Sequence, residues 1–257
     1  MKESNLQSLL TDIDQQKKSL DACRPFPASV LEKLQEALDI EYTFHSNAIE
    51  GNTLTLNETM LVLKEGLTIS GISLREHLEA VNHKAAIDSI RAMLTKVVPM
   101  NQEDIKYIHA LVLKGIDNRY AGHYRDVEVM ISGAKHMPPP PQEVLGLMNG
   151  FSSWLVERQD ERDLHPVRLA AQAHLRLVGI HPFIDGNGRT ARLLMNLMLL
   201  KYGYPYAVIR SDMDYRMRYY QSLDQAHTRQ MDEPFEVLVA ECVSAMLDKY
   251  LGAIPKR

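Results

Sequence analysis

A short stretch in the second half of the chain, residues 181–192, combines groups that can bind an anion with one that can accept a proton. It reads His-Pro-Phe-Ile-Asp-Gly-Asn-Gly-Arg-Thr-Ala-Arg, and the apolar residues after it predict a helix beginning near Arg189. Gly186 and Gly188 flank Asn187, so backbone amides can turn inward at the positive end of that helix. Such a turn favours a bound phosphate group.

Four charged or titratable side chains accompany this turn. Arg189 and Arg192 are three residues apart and share a helix face, where their guanidinium groups suit phosphate oxygens. Two cations at a helix N-terminus are unfavourable by roughly 0.3–1 kcal/mol each, and a bound anion removes that conflict. Asp185 could supply one ligand to Mg²⁺, and His181, with an ordinary pKa of roughly 6.5, could accept a proton from a hydroxyl group. Each residue alone is more often structural, but their combination favours a functional site.

The elements that must position these residues are predominantly helical, because apolar residues recur at helical spacing through most of the chain. A helix capped by Ser29 is expected to run to about Glu50 and to end at Gly51. Thr55 and Glu58 have the form of a capping box that starts the next helix. Further helices are expected near residues 73–95, 102–114, 142–158, 166–180, 189–202, 213–227 and 233–250.

One segment departs from the helical pattern. Val127, Val129 and Ile131 alternate with more polar residues, and residues 132–133 (Ser-Gly) offer a turn, which together predict a short exposed β-hairpin. The prolines at 138–141 can continue neither a strand ladder nor a helix. They are expected to act as a stiff connection between the hairpin and the next helix.

The composition excludes several classes of protein. The 257 residues are 45% hydrophobic and 24% charged, which is typical of a globular protein with a sizeable core, and the net charge of −4 argues against a nucleic-acid partner. Cys23 and Cys242 cannot form a disulfide framework. No apolar run is long enough to cross a bilayer, and the first residues do not resemble a signal peptide. We therefore expect a cytoplasmic protein with no membrane partner.

The motif resembles the signature of the Fic/DOC family. The residues that match it are His181, Pro182, Phe183, Asp185, Gly186, Asn187, Gly188, Arg189 and Arg192. Residues 122–125, the expected hairpin and residues 164–166 extend the resemblance over about 100–230. It implies a mostly α fold, a Fic-type helical bundle with a short β-hairpin flap. The implied organisation is an N-terminal helical region at 1–99 with an inhibitory helix at about 29–51, a Fic core at 100–230 and a C-terminal helix at 231–257.

The resemblance implies an adenylyltransferase that moves AMP from ATP to a Ser, Thr or Tyr hydroxyl of a target protein, which could be the chain itself. His181 would deprotonate the hydroxyl, and Asp185 would hold Mg²⁺. The groups implied to bind phosphate are Asn187, Arg189, Arg192 and the amides of Gly186 and Gly188. Related Doc toxins, which phosphorylate their partner, carry lysine in place of Gly188, so the glycine favours AMP transfer.

Further residues acquire expected roles from the same resemblance. In the flap, Val129, Ile131 and His136 would dock the target by strand addition. Tyr219 and Tyr220 stand where relatives place tyrosines near the nucleoside, although packing in the core is an equal alternative. His227 occupies a position where some relatives carry asparagine, so the identity of the nucleotide base stays open.

The segment at 46–51, Ser-Asn-Ala-Ile-Glu-Gly, resembles the inhibitory motif of Fic proteins. Glu50 would lie at the negative end of its helix, which is unfavourable for a carboxylate unless another group compensates. The resemblance implies that Glu50 pairs with Arg192 and blocks the γ-phosphate, while Ser46 helps to hold the helix.

Two alternatives to a braked transferase remain open. Glu50 could instead position a water that removes AMP from a modified protein, or the chain could be a catalytically silent module that binds nucleotide. An apolar helix face in the first hundred residues could also serve a homodimer.

Overall fold

The computed structural model describes residues 5–96, 98–131, 133–161 and 163–254. Within those ranges the chain forms ten α-helices and no β-strand, so the expected mostly α class is confirmed. The helices are α1 Asn5–Ala22, α2 Ala28–Ile49, α3 Leu56–Glu65, α4 Leu74–Met93, α5 Gln102–Val112, α6 Pro141–Glu161, α7 Pro166–Ile180, α8 Asn187–Lys201, α9 Met213–Arg229 and α10 Glu233–Ala253.

The β-hairpin flap predicted at 127–137 is wrong. The described part of this segment is an irregular strap, in which the amide of Ala134 donates to the carbonyl of Ile131 (3.2 Å). The strap also contacts two neighbouring helices, because the amide of Lys135 donates to Asp224 and His136 donates to the carbonyl of Gly179. Its first residue, Val127, accepts from the preceding loop at its carbonyl, where Arg125 donates. Ser132, half of the expected turn, lies outside the described residues.

Helix boundaries follow the local signals with two shifts. α2 begins at Ala28 after Pro27, without the expected side-chain cap at Ser29. It ends as expected, since Glu50 is the C-cap and Gly51 has a left-handed φ of 97°. α8 begins two residues earlier than expected, at Asn187. The capping box of Thr55 and Glu58 at the start of α3 is confirmed.

α8 is the central helix of the bundle. Its residues from Arg189 to Leu199 are all buried, which is the pattern of a helix enclosed on every side. It packs most extensively against α7 and also contacts α2, α4 and α5. The helix that carries both arginines of the motif is therefore anchored in the core, and its first turn is partly exposed at Gly188.

The first and last helices complete the same core. α1 packs along α10, and Leu6, Ile13, Val243 and Leu247 belong to one hydrophobic cluster with the central helices. Both cysteines are free thiols. In the part of the chain that the structure describes, no helix combines the length and apolar character needed to cross a membrane.

Candidate functional site

The motif forms the junction between α7 and α8. His181 is the C-cap of α7 and adopts a left-handed conformation (φ 50°), which is uncommon for a residue other than glycine. Gly186 is the N-cap of α8 and is also left-handed (φ 75°). These two residues reverse the chain, so the imidazole and the first amides of α8 lie at one end of the bundle.

Arg125 holds the residue that carries this imidazole. Its Nε donates to the carbonyl of His181 (2.8 Å), and its backbone amide donates to the carbonyl of Pro182 (2.9 Å). The other guanidinium nitrogens donate to the carbonyls of Val127 (3.1 Å) and Pro139 (2.5 Å). One buried side chain thus joins the strap to His181.

His109 of α5 supports the motif from beneath, and the sequence analysis missed it. Its Nε2 donates to the carbonyl of Asp185 (2.9 Å), and its Nδ1 accepts from the amide of Gly122 (2.9 Å). The ring stacks on Phe183 with centroids 3.6 Å apart. Burial lowers the pKa of His109 to about 4, so the neutral tautomer that makes both hydrogen bonds is the stable form.

His181 is suited to accept a proton. Burial, followed by the nearby charge of Arg125, lowers the pKa of His181 to about 4, while Glu50 acts weakly in the opposite direction. The imidazole is therefore neutral at pH 7. A neutral imidazole beside an open cavity is the form required of a general base.

The turn itself is held by its own side chains. Asn187 accepts from the amide of Phe183 (3.0 Å) and donates to the carbonyl of the same residue (2.8 Å). The amide of Gly186 donates to Oδ1 of Asp185 (2.6 Å). These contacts shape the loop, and the phosphate contacts expected of Asn187 and the glycine amides stay predictions.

Asp185 and Arg189 belong to a closed ring of alternating charges, the four-charge ring, formed with Arg75 and Glu79 of α4. Arg189 reaches Oδ1 of Asp185 (3.2 Å) and Oε1 of Glu79 (3.1 Å). Arg75 reaches Oδ2 of Asp185 (2.5 Å) and Oε1 of Glu79 (3.3 Å). Burial opposes ionisation of Asp185, but Arg189, the amide of Gly186 and Arg75 together lower its pKa below the ordinary value.

The residues present fit a Mg²⁺ ion that takes most of its ligands from the nucleotide and from water. The Asp185 side chain is 43% exposed, and its outer oxygen already attracts a cation. Among the described residues there is no group of three or more His, Cys, Asp or Glu side chains placed to enclose a metal. A single carboxylate matches the usual Mg²⁺ site, in which waters and phosphate oxygens supply the other ligands.

The structure places Glu50 against Arg192, as expected from the motif at the end of α2. Nη2 of Arg192 donates to Oε1 of Glu50 (2.7 Å) and to the carbonyl of Ser46 (2.8 Å), and its Nε donates to Oγ of Ser46 (3.0 Å). Its Nη1 donates to the hydroxyl of Tyr219 (3.2 Å). Burial alone would lower the pKa of Arg192, but Tyr219 and Glu50 outweigh it and raise the pKa.

Glu50 fits this position because residue 188 has no side chain. A Cβ built on Gly188 would lie 2.2 Å from Oε1 of Glu50, far inside van der Waals contact, and 3.1 Å from Nη1 of Arg192. The carboxylate therefore fills the space directly over the first turn of α8.

A cavity of about 260 Å³ opens beside the turn. The predicted site residues that line it are Glu50, Ile131, His136, His181, Gly188, Tyr219 and Tyr220. Val129 does not line it. The hydroxyl of Tyr220 donates to the carbonyl of Ile49 (2.9 Å) at the end of α2, and Tyr219 is buried against Arg192. Both tyrosines thus line the cavity, and Tyr220 also contacts the end of α2.

Comparisons with known proteins agree with the motif. The profile of the Fic/DOC family matches residues 99–199. A protein adenylyltransferase Fic from Drosophila grimshawi is 38% identical over 244 residues, covering 95% of this chain and 49% of the relative. The chain thus spans about half the length of that curated relative.

Solved structures show the same fold. Fic-1 from C. elegans aligns with a TM-score of 0.87 at 31% identity, covering 96% of this chain and 72% of that chain. A Fic-domain signalling protein from Bacteroides thetaiotaomicron aligns with a TM-score of 0.86 at 29% identity, covering 95% and 96% of the two chains. With the signature at 181–192 intact and its residues gathered at the α7–α8 junction, this chain belongs to the Fic/DOC family.

Proposed function

We propose that the protein transfers AMP from ATP to a hydroxyl group of a target protein and that Glu50 restrains this activity. The observation that carries the proposal is the position of His181, a neutral imidazole on the wall of the cavity that Gly188 also lines. The name of the Drosophila relative, a protein adenylyltransferase, supports the same reaction.

In the proposed reaction the triphosphate binds over the N-terminus of α8. The amides of the turn, with Arg189 and Arg192, stabilise the negative charge of the phosphates. His181 accepts the proton of the target hydroxyl as the hydroxyl oxygen forms a bond to the α-phosphorus. The bond from that phosphorus to the bridging oxygen breaks, and pyrophosphate leaves in line. Mg²⁺ held at Asp185 would neutralise phosphate charge.

Glu50 is proposed to inhibit the transferase by competing with a phosphate group of ATP for Arg192. Oε1 of Glu50 occupies Nη2 of Arg192 and the space above Gly188, so a phosphate group and this carboxylate would compete for the same place. The guanidinium is fully buried, and its other contacts, with Ser46 and Tyr219, do not involve Glu50.

The target is proposed to dock on the strap. Ile131 and His136 line the cavity, and Met130 and Met137 expose most of their side chains beside them. These exposed apolar side chains offer a surface against which a segment of the target can pack. Val129, although outside the cavity, lies on the same strap and keeps its proposed docking role.

The reverse reaction is a second candidate, because one observation favours it. The carboxylate of Glu50, 36% exposed, lines the same cavity as His181. It could therefore orient a water toward an AMP group attached to a bound protein.

Three broader features belong to the proposal. The organisation is an N-terminal helical region at 1–99, a Fic core at 100–230 and a C-terminal helix at 231–257. The two free thiols support a reducing, cytoplasmic location. The exposed side chains Leu56, Met60, Leu67 and Leu74 of α3, α4 and the loop between them support a homodimer.

Incorporation of label from [α-³²P]ATP into proteins of a cell lysate tests the function. Removing the competing carboxylate in Glu50→Gly should raise labelling at least tenfold over wild type, and adding His181→Ala should abolish it. Glu65→Gly, at the corresponding end of α3, is the matched control and should leave labelling unchanged. Labelling that survives without His181 would refute the transferase mechanism.

A second arm separates the two directions. The labelled target, purified and returned to wild-type protein, should keep its AMP if the chain is a braked transferase. Release of AMP that depends on Glu50 would establish the reverse reaction instead. Equal labelling by wild type and Glu50→Gly would contradict the brake.

A further inference from the structure

Arg75 makes two ion pairs, one with Glu79 in its own helix and one with Asp185 of the α7–α8 turn. It is the second residue of α4, at the positive end of the helix, where a cation is unfavourable by roughly 0.3–1 kcal/mol. Its side chain is 57% exposed, yet it crosses to another part of the chain to contact Asp185. Glu79, four residues along α4, and Asp185, on the α7–α8 turn, together account for its position.

The two oxygens of Asp185 have different surroundings. Oδ1 accepts from the amide of Gly186 (2.6 Å) and contacts Arg189, whose side chain is only 2% exposed. Oδ2 pairs with Arg75. Oδ1 is thus engaged by rigid, buried groups, whereas Oδ2 is the oxygen that an incoming cation could reach.

We propose that Arg75 is a tethered cation that occupies Oδ2 of Asp185 and competes with the divalent metal of the metal–nucleotide complex. The proposal rests on the proposed function, because it takes Asp185 as the metal ligand. It makes Arg75 a positioning residue that sets how strongly the metal contributes to nucleotide binding.

The charges of the ring explain why the two cations exclude each other. Arg75, Glu79, Asp185 and Arg189 sum to zero as two positive and two negative groups. A divalent ion at Oδ2 would lie against two guanidinium groups, and only the exposed one can withdraw. Arg75 can do so without losing every partner, because Nε stays near Glu79, four residues along the same helix.

The size of the competition follows from exposure. Exposed ion pairs contribute at most about 1 kcal/mol, so displacing Arg75 should weaken metal-dependent binding by no more than roughly fivefold rather than prevent it. The buried contact of Arg189 would not have to change. The metal would thus replace the outer cation and leave the inner one in place.

The test measures the metal advantage, defined as the dissociation constant of a non-cleavable nucleotide, α,β-methylene-ATP, without metal divided by that with saturating Mn²⁺. Calorimetry on the full chain carrying Glu50→Gly keeps the binding site open. Adding Arg75→Ala should raise the metal advantage about three- to fivefold, mainly through tighter binding with Mn²⁺.

The control variants give each outcome one meaning. Arg218→Ala removes another half-exposed arginine, which lies in α9 and pairs with Glu241 of α10. This variant should leave the metal advantage unchanged. Asp185→Ala should reduce it toward one. If Asp185→Ala does so but Arg75→Ala has no effect or lowers the advantage, the competition is refuted while the proposed function stands. If Asp185→Ala has no effect, the metal site and the competition are both refuted.

Discussion

Among single residues, Gly188 exerts the strongest steric control over the site. Its missing side chain leaves the space that the Glu50 carboxylate fills, with 2.2 Å between the position of a Cβ and Oε1. Any side chain at residue 188 would compete with Glu50 for that space. The glycine therefore has a role in the pairing of Glu50 with Arg192 as well as in the turn.

The effect of Gly188→Ala on the free energy of unfolding should have opposite signs in the wild type and in Glu50→Gly. In the wild type the new methyl group should expel Glu50 from Arg192 and lower the free energy of unfolding by about 1–3 kcal/mol. In Glu50→Gly the clash with the carboxylate is absent and only the 3.1 Å contact with Nη1 of Arg192 remains. Alanine should therefore be neutral or stabilise α8 by up to about 1 kcal/mol. Urea denaturation of the four proteins of this double-mutant cycle measures both values. Identical effects in the two backgrounds would contradict the steric account.

The site residues that lie close together in the sequence could be predicted from it, whereas their partners from distant segments could not. His181, Asp185 and Arg192 lie within one motif, so their types and order indicate a phosphate site. Arg75 contacts Asp185 from 110 positions away, and no local pattern marks such a pair. His109 was missed for the same reason, since a buried histidine within an amphipathic helix resembles any core residue.

At the scale of elements, the end of α2 is held by several side chains from its neighbours. The last carbonyls of a helix lack partners within it. Tyr220 of α9 donates to the carbonyl of Ile49, and Asn47 donates to the carbonyl of Glu79 on α4 (3.3 Å). Just beyond the helix, Asn52 donates to Oε2 of Glu79 (3.0 Å). The position of Glu50 thus depends on α4 and α9.

Tyr220→Phe should loosen this end of α2 selectively. The lost hydrogen bond is worth about 1 kcal/mol, so amides near residues 47–51 should exchange roughly fivefold faster while exchange in the core of α8 is unchanged. Hydrogen exchange followed by mass spectrometry measures the effect. Tyr107→Phe, at an exposed tyrosine of α5, is the matched control. Unchanged exchange near Glu50 would show that Tyr220 does not hold the helix.

Most elements could be predicted because their signals are local. Apolar spacing and capping residues locate α3 and α4, and a left-handed glycine ends α2 as expected. The strap misled the analysis because alternating Val127, Val129 and Ile131 imitate a strand. Its polar groups bond instead to α7 and α9, and these tertiary contacts cannot be seen from local periodicity.

For the whole molecule, buried histidines link stability to pH. Burial lowers the pKa of His109 and His181 to about 4, and it lowers the pKa of His83 and His174 well below the ordinary value. In the unfolded chain each would titrate near roughly 6.5. Between those values the unfolded chain binds protons that the folded chain does not.

The free energy of unfolding should therefore fall as the pH is lowered from 7 to 5. The stabilisation is complete above the unfolded pKa, and each imidazole costs up to about 1.4 kcal/mol per pH unit below it. Urea denaturation at pH 7, 6 and 5 measures the slope, and His109→Gln should reduce it by the share of one group. A stability that stays constant over this range would refute the assignment.

The carboxylates with lowered pKa values do not contribute to the change in stability between pH 7 and 5. The hydrogen bonds of Glu76 lower its pKa to about 2, and the pKa of Asp185 is also lowered. Their stabilising contribution is present above their unfolded pKa values, roughly 3.9–4.3, and is lost only at more acidic pH.

The guanidinium of Arg125 joins the strap and His181 into one unit, and this has a consequence for the choice of acceptor. Contacts on both Pro139 and His181 keep the separation between docking surface and imidazole constant. In the proposed docking mode, that separation fixes the distance along the bound polypeptide between its docked segment and the hydroxyl that reaches His181. The hydroxyl that receives the nucleotide would then be chosen by how many residues separate it from the docked segment, more than by the side chain that bears it.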